Sequence, residues 1–223
     1  LDRIYQENLQ LEKALRSALN NPEQFQLVFQ PIWSLKRQAL KGFEALVRWH
    51  HPTLGLISPG RFIPLAEKRA MIVPLGQIIF NRACETLSHW LKQYPVVQQG
   101  MIRLSVNMAP QQFITQNFIE DIQSTLQRWQ LPPETLCIEI TETSLMEEPE
   151  LAIQRIRALK EMGIAISIDD FGTGYSSLSY LQQFEVDIIK LDRSLVVNIV
   201  ETHSAQRIID AVVRLGHDLD LKI

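Results

Sequence analysis

Six short β-rich segments alternate with longer helical patterns along most of the chain, and this alternation is the strongest constraint on its fold. The β-rich segments are residues 26–32, 42–49, 101–107, 136–141, 164–169 and 186–191. Helical periodicity occupies residues 73–94, 118–130, 150–162 and 194–215, between most of these segments. Strands separated by helices of this length form parallel βα units. The sequence therefore predicts an α/β fold, either a doubly wound sheet or a barrel.

The two faces of the predicted strands distinguish these architectures. In residues 42–49, a face that carries Glu44 and Arg48 alternates with an apolar face. The same parity recurs downstream, where the polar positions at or near the strand ends are Asn107, Glu139, Asp169 and Lys190. An open sheet covered by helices on both sides tends to be apolar on both faces, whereas barrel enzymes gather polar groups at the carboxyl ends of their strands. We therefore expect a TIM-like (β/α)8 barrel.

Length and composition set the domain organisation. A full eightfold barrel takes about 250 residues, so we expect the barrel to be incomplete at the carboxyl terminus, with residues 221–223 starting a further strand. Residues 1–21 read as a lead-in helix or interdomain connector and residues 22–223 as the main domain. Two cysteines are too few for a disulfide framework, and no signal peptide or membrane-spanning run occurs. The domain is therefore expected in the cytoplasm, in a parent protein that a membrane segment elsewhere could anchor.

The net charge of −3 does not favour the binding of long nucleic acid, whose phosphates are bound by positively charged surfaces. A small anionic ligand fits only if metal ions supply positive charge. The expected pocket offers oxygen ligands, which suit Mg²⁺ or Mn²⁺ better than zinc, from Glu44, Asn107, Glu139, Asp169 and Asp170. The adjacent carboxylates Asp169 and Asp170 could serve two metals, the arrangement used for phosphoryl displacement.

Two basic residues complete the expected phosphodiester chemistry. The ammonium of Lys190 could hold the attacking water in line with phosphorus, and Arg48 is suited to bidentate contact with a phosphate. The alternative is a set of structural ion pairs in a barrel interior, Glu44 with Arg48 and Glu139 or Asp169 with Lys190. Because several strand ends share one parity, we favour the functional interpretation.

Several ordered motifs resemble the EAL domain family of cyclic di-GMP phosphodiesterases. The family is named for the motif that Glu44-Ala45-Leu46 matches, and the resemblance continues nearly to the end of the chain. The further matching blocks are Gln30-Pro31, Glu139-Ile140-Thr141-Glu142, Asp169-Asp170-Phe171-Gly172-Thr173-Gly174-Tyr175-Ser176-Ser177 and Lys190-Leu191-Asp192-Arg193-Ser194.

The resemblance implies hydrolysis of cyclic di-GMP to linear pGpG with a two-metal site. Glu44 and Lys190 would act in catalysis, and Glu142 would anchor the loop that begins at Asp169-Asp170. The first metal would be held by Glu44, Asn107, Glu139 and Asp169, and the second by Asp169 and Asp170. The dinucleotide would be bound by Gln30, Leu46 and Arg48.

The resemblance also implies a homodimer and an upstream GGDEF or sensory domain in a larger signalling protein. Family members carry a further glutamate block after the strand that begins at Lys222, so we expect the complete domain to be active and these 223 residues alone to be inactive or weakly active. Two alternatives remain at this point: a receptor domain that binds cyclic di-GMP without cleaving it, and an unrelated divalent-metal barrel lyase.

Overall fold

The computed structural model describes residues 2–95, 102–172, 178–197, 199 and 203–223. The strands are β1 Phe25–Ser34, β2 Ala39–His51, β3 Gly55–Ile57, β4 Arg103–Met108, β5 Leu136–Thr141, β6 Ala165–Phe171 and β7 Ile188–Leu191. The helices are α1 Asp2–Ala18, α2 Pro59–Lys68, α3 Ile72–Gln93, α4 Pro110–Phe113, α5 Phe118–Trp129, α6 Glu142–Glu147, α7 Pro149–Glu161, α8 Leu178–Gln183, α9 Arg193–Val197 and α10 His203–Asp218. The pattern expected over residues 194–215 thus forms parts of two helices.

The strands form one sheet in the order β1-β2-β4-β5-β6-β7, with β3 paired to β2. All neighbours from β2 and β4 through β7 are parallel, as the βα pattern predicts. The strand β1 is antiparallel to β2, since only a short turn connects them and a parallel pair needs a long crossover. At the other end of the chain, Lys222 forms a parallel bridge with Ile188, which confirms the predicted start of a further strand.

The apolar strand faces pack against helices, as expected. Leu104, Val106, Ile138, Ile166 and Ile168 belong to one buried cluster with residues of α3, α5 and α7. A second cluster joins Phe25, Trp49 and Phe62 to α1. The lead-in helix is therefore fixed on β1, β2 and α2 through its buried Leu11, Leu15 and Ala18.

The opposite strand faces turn toward the interior of a curved sheet. Because neighbouring strands are about 4.8 Å apart, the four steps from β2 to β7 would separate these strands by roughly 19 Å in a flat sheet. Yet Lys190 Nζ on β7 lies 3.0 Å from Glu44 Oε2 on β2. The sheet therefore curls until its first parallel strand faces its last, in the manner of a TIM-like barrel.

Candidate active site

Three carboxylates converge inside the curved sheet. Glu44 of β2, Glu139 of β5 and Asp169 of β6 each offer an oxygen atom, and these atoms all lie within 4.8 Å of one another. Glu139 is only 2% exposed, while Glu44 and Asp169 are half-buried. The parallel register explains the convergence, because Asn107 lies beside Glu139, and Ser167, two residues before Asp169, lies beside Glu139 on its other side.

Lys190 of β7 contacts all three carboxylates. Its Nζ lies 2.7 Å from Glu139 Oε2, 3.0 Å from Glu44 Oε2 and 3.3 Å from Asp169 Oδ2. Burial alone would lower the pKa of Lys190, but the carboxylates, Glu139 foremost, raise it above its usual range. The ammonium is therefore fully protonated at neutral pH, and it holds together three like charges.

Glu139 is the electrostatically strained member of the group. Burial raises its pKa to about 7 even though Lys190 opposes the shift, and the neighbouring Glu44 raises it further. A carboxyl group with this pKa is not fully ionised without added positive charge. Burial is therefore the main reason why Glu139 resists ionisation, and a cation bound beside it would favour the ionised form.

Asn107 supplies an amide at the end of β4. Its Nδ2 donates to Glu44 Oε1 at 2.8 Å, so its Oδ1 is the atom left to accept a cation. This contact fixes both side chains on the same side of the sheet and brings the predicted amide ligand into the cluster.

Asp170 lies outside this group of three carboxylates. Regular strand alternation would send it to the face opposite Asp169, but the pairing of β6 with β7 is irregular between Ile168 and Phe171, and Asp170 has a left-handed φ of 54°. Burial raises the pKa of Asp170, and the charge of Asp169 raises it further. Its carboxyl group therefore interacts electrostatically with Asp169 of the cluster, although regular alternation would place the two side chains on opposite faces of the strand.

Glu142 does not join the cluster. It is the first residue of α6 and is buried, and its Oε2 accepts a hydrogen bond from the backbone N–H of Gly172 at 2.9 Å. Gly172 has a φ of 96°, a conformation that side chains disfavour. Glu142 thus holds the backbone two residues after Asp170. Its role as anchor of the following loop, which the resemblance implied, stays a prediction. The loop motif at residues 173–177 lies outside the described residues.

The three expected substrate contacts lie on one face of the β1–β2 hairpin. Gln30 is paired directly with Glu44, and Leu46 and Arg48 follow Glu44 at alternate positions of β2. The guanidinium of Arg48 donates to the carbonyl of Val47 at 2.8 Å. The ion pair between Glu44 and Arg48 that the structural alternative required is not formed among the described residues, where Glu44 pairs with Lys190.

Asp192 is a neighbour that the sequence analysis did not assign. Its charge contributes to the raised pKa of Asp170, and its Oδ1 accepts a hydrogen bond from the backbone N–H of Ser194 at 2.8 Å. An aspartate followed two residues later by serine at a strand end is typical of a helix start, so a capping role was legible in the sequence. Its proximity to Asp170 depends on the fold.

The described residues fit a hard divalent cation. All candidate donors are carboxylate or amide oxygens, and three of the carboxylates already surround a cationic group. Glu44, Asn107, Glu139 and Asp169 would hold one ion, with Asp170 beside Asp169 available for a second.

The fold and this cluster of oxygen ligands together indicate the class of the protein. It is an α/β protein with an acidic pocket, of the kind that binds metal ions, at the carboxyl ends of curved parallel strands. Within that class, the model of the EAL domain matches residues 12–223. The chain belongs to the EAL domain family.

Two curated relatives illustrate the similarity. The protein sll1895 of Synechocystis is 42% identical over 217 residues, which are 97% of this chain and 30% of that protein. MucR of Pseudomonas aeruginosa, a bifunctional diguanylate cyclase/cyclic di-GMP phosphodiesterase, is 38% identical over 218 residues, which are 98% of this chain and 31% of MucR. The chain thus spans less than a third of the length of these relatives.

A solved structure shows the same fold. The PaMucR phosphodiesterase in complex with c-di-GMP superimposes with a TM-score of 0.89 at 37% identity, over 96% of this chain and 85% of that one. The predicted α/β fold of the EAL type is therefore confirmed.

Proposed function

We propose that this domain hydrolyses cyclic di-GMP to linear pGpG with Mg²⁺ or Mn²⁺. The observation that carries the proposal is the convergence of Glu44, Glu139, Asp169 and Lys190 at one point, from four different strands. Relatives named as cyclic di-GMP phosphodiesterases support the same substrate. The unrelated-lyase alternative is not favoured, because the chain belongs to the EAL domain family.

Each residue of the site has a separate role in the proposed reaction. Divalent cations, when bound, polarise the phosphate and activate water. Lys190 keeps its proton on Nζ and donates hydrogen bonds, so it orients the nucleophile and does not act as a base. Arg48 and Gln30 bind polar groups of the dinucleotide, while the half-buried Leu46 between Glu44 and Arg48 contributes an apolar contact. Glu142 positions the backbone that follows Asp170.

The direct test is an assay of the full-length gene product with cyclic di-GMP, followed by chromatographic separation of the nucleotides. We expect pGpG to accumulate with Mg²⁺ or Mn²⁺ and not with EDTA. The receptor alternative makes the opposite prediction, tight binding of cyclic di-GMP without turnover at saturating metal. That outcome would refute the proposed activity and leave the binding site intact.

Metal binding should be visible in the stability of the folded chain. We expect Mn²⁺ at about a hundred times its dissociation constant to stabilise the fold by about 2.7 kcal/mol. Asp169→Asn should abolish this increment, because it removes a charged ligand from the group of three. Thermal unfolding with Mn²⁺ and with EDTA measures it, and Asp121→Asn on the outer helix α5 is a control that should keep the full increment.

A metal-dependent shift of equal size in Asp169→Asn would contradict the proposed ligand set, even if the enzyme were active. The stability measurement does not depend on turnover. It therefore tests the ligand set separately from the chemistry.

The cellular setting follows from the same proposal. Both cysteines, Cys84 and Cys137, are buried free thiols, and a reducing compartment such as the cytoplasm suits them. No helix among the described residues has the length and apolar character needed to cross a bilayer. A homodimer and a linked GGDEF or sensory domain remain part of the proposal, and the length of the relatives supports the latter.

A further inference from the structure

The turn between β1 and β2 exposes large apolar side chains. We call residues 33–41 the hairpin tip. Leu35 is 81% exposed and Trp33 is 55% exposed. Single exposed apolar residues are common on protein surfaces, but here an aromatic and an aliphatic side chain lie two positions apart on a projecting turn.

The hairpin tip is also strongly cationic. Residues 24–43 contain Lys36, Arg37 and Lys41 and no aspartate or glutamate, in a chain whose net charge is −3. The side chains of Lys36 and Arg37 are exposed. Within the described part of the chain, none of the three forms an ion pair. Their charge is therefore available to an external anion.

Hydrogen bonds hold the turn in this shape. Ser34 Oγ accepts from the backbone N–H of Arg37 at 3.1 Å, and Gln38 Nε2 donates to the carbonyl of Leu35 at 2.8 Å. Gln38 has a left-handed φ of 49°, which reverses the chain. These hydrogen bonds fix the conformation of the turn, and Leu35 is exposed in that conformation.

The carboxyl end of α3 packs against the β1–β2 hairpin. Trp90, in the last turn of α3, packs on the hairpin with ring centroids 4.7 Å from Phe29 and 5.2 Å from Phe43. Lys92 and Tyr94 follow in the sequence, and both are exposed. Trp90 thus holds the end of α3 against the hairpin.

This surface lies at the end of the sheet away from the acidic cluster. The parallel strand β2 begins at Ala39 in the hairpin tip, and the catalytic groups lie toward the carboxyl ends of the parallel strands. A body bound at the tip would leave the mouth of the site open to a small substrate.

We propose that the hairpin tip docks peripherally on an anionic lipid surface. Tryptophan favours the membrane–water interface, an exposed leucine can enter the acyl boundary, and clustered lysine and arginine bind anionic headgroups. An acidic protein is a poorer match, since specific protein interfaces bury about 800 Å² per partner and one short turn with two exposed apolar side chains offers much less area.

The test is co-sedimentation of the folded chain with phosphatidylcholine vesicles that contain or lack phosphatidylserine. We expect binding only to the anionic vesicles, weakened by high salt. Each cation near the surface contributes about fivefold in affinity. The double change Lys36→Glu with Arg37→Glu should therefore weaken binding at least tenfold. The double change Trp33→Ser with Leu35→Ser should also weaken binding, and the size of this loss should not depend on the salt concentration.

Two matched variants control for charge and for apolar area. Arg61→Glu with Lys68→Glu makes the same change of charge on α2. Leu54→Ser with Leu56→Ser removes side chains that are 49% and 61% exposed at another turn. Both should bind anionic vesicles as the parent chain does, with circular dichroism verifying that every variant is folded.

Three results would overturn the proposal: no binding to anionic vesicles, equal binding by the hairpin-tip variants, or equal loss in the control variants. A fourth result would also reject the membrane proposal. In it, the chain binds immobilised polyglutamate but no vesicles, and the Lys36 and Arg37 changes abolish the binding to polyglutamate. The surface would then be assigned to an acidic protein partner.

Discussion

Replacing Lys190 by methionine is expected to lower kcat for cyclic di-GMP hydrolysis by about 10²- to 10³-fold. The ammonium lies within 3.3 Å of three carboxylates and is the cation that the cluster itself supplies. Methionine keeps the length of the side chain but donates no hydrogen bond. Initial rates of pGpG formation at saturating Mn²⁺ measure the loss, and binding of cyclic di-GMP in EDTA shows whether substrate affinity survives.

Lys160→Met is the matched control. Lys160 also forms a partly buried ion pair, 2.7 Å from Asp187, but it lies on α7, away from the acidic cluster. The same change of charge and chemistry should cost some stability and leave kcat within about twofold of the parent value. A similar fall in kcat for both variants would mean that Lys190 acts by stabilising the fold, and it would remove the role proposed for it.

The sequence predicted the grouping of these side chains largely because strand parity is a strict two-residue rule. Glu44, Asn107, Glu139, Asp169 and Lys190 were placed on one face by counting alternate positions, and the structure brings all five together. Burial of the opposite face leaves each strand little freedom to slip, because a shift of one residue would expose its apolar side chains. The alternation of residues along each strand was therefore enough to predict which side chains lie together in the folded structure.

Irregular backbone was harder to predict. Asp170 departs from parity through the irregular pairing beside it and its left-handed φ. Nothing in the alternation of residues 164–169 specifies where such an irregularity falls. The antiparallel β1 was likewise missed by the βα rule, although the short connection at residues 35–38 already excludes a helix between β1 and β2.

The partners of Lys190 show a further limit of sequence reasoning. Ion pairs of Lys190 with Glu139 or Asp169 were expected under the structural alternative, and they do form. They coexist with the oxygen cluster that favours a metal site. The ion pairs of Lys190 and the proposed metal binding are therefore compatible, because both draw on the same group of carboxylates.

Removal of the loop anchor is the other large effect that we expect. Glu142→Ala should lower kcat about 10²-fold, because a displacement of about 1 Å in a catalytic group can cost that much. The substitution leaves the Gly172 N–H without its acceptor and frees the chain that carries Asp170, two residues away. Steady-state kinetics at saturating metal should show the loss mainly in kcat, with a smaller change in KM.

Glu142→Gln and Glu147→Ala separate positioning from a general structural role. Glutamine retains an oxygen acceptor for the Gly172 N–H, so Glu142→Gln should recover much of the activity that alanine loses. Glu147 is an exposed carboxylate on the same helix α6, and Glu147→Ala should leave kcat unchanged. If glutamine were as inactive as alanine while both variants unfolded at the parent temperature, the charge of Glu142 would be required and the hydrogen bond to Gly172 alone would not explain its role. Because Glu142 lies outside the acidic cluster, a kcat effect without loss of the metal-dependent stabilisation would place its contribution in the backbone geometry that follows Asp170.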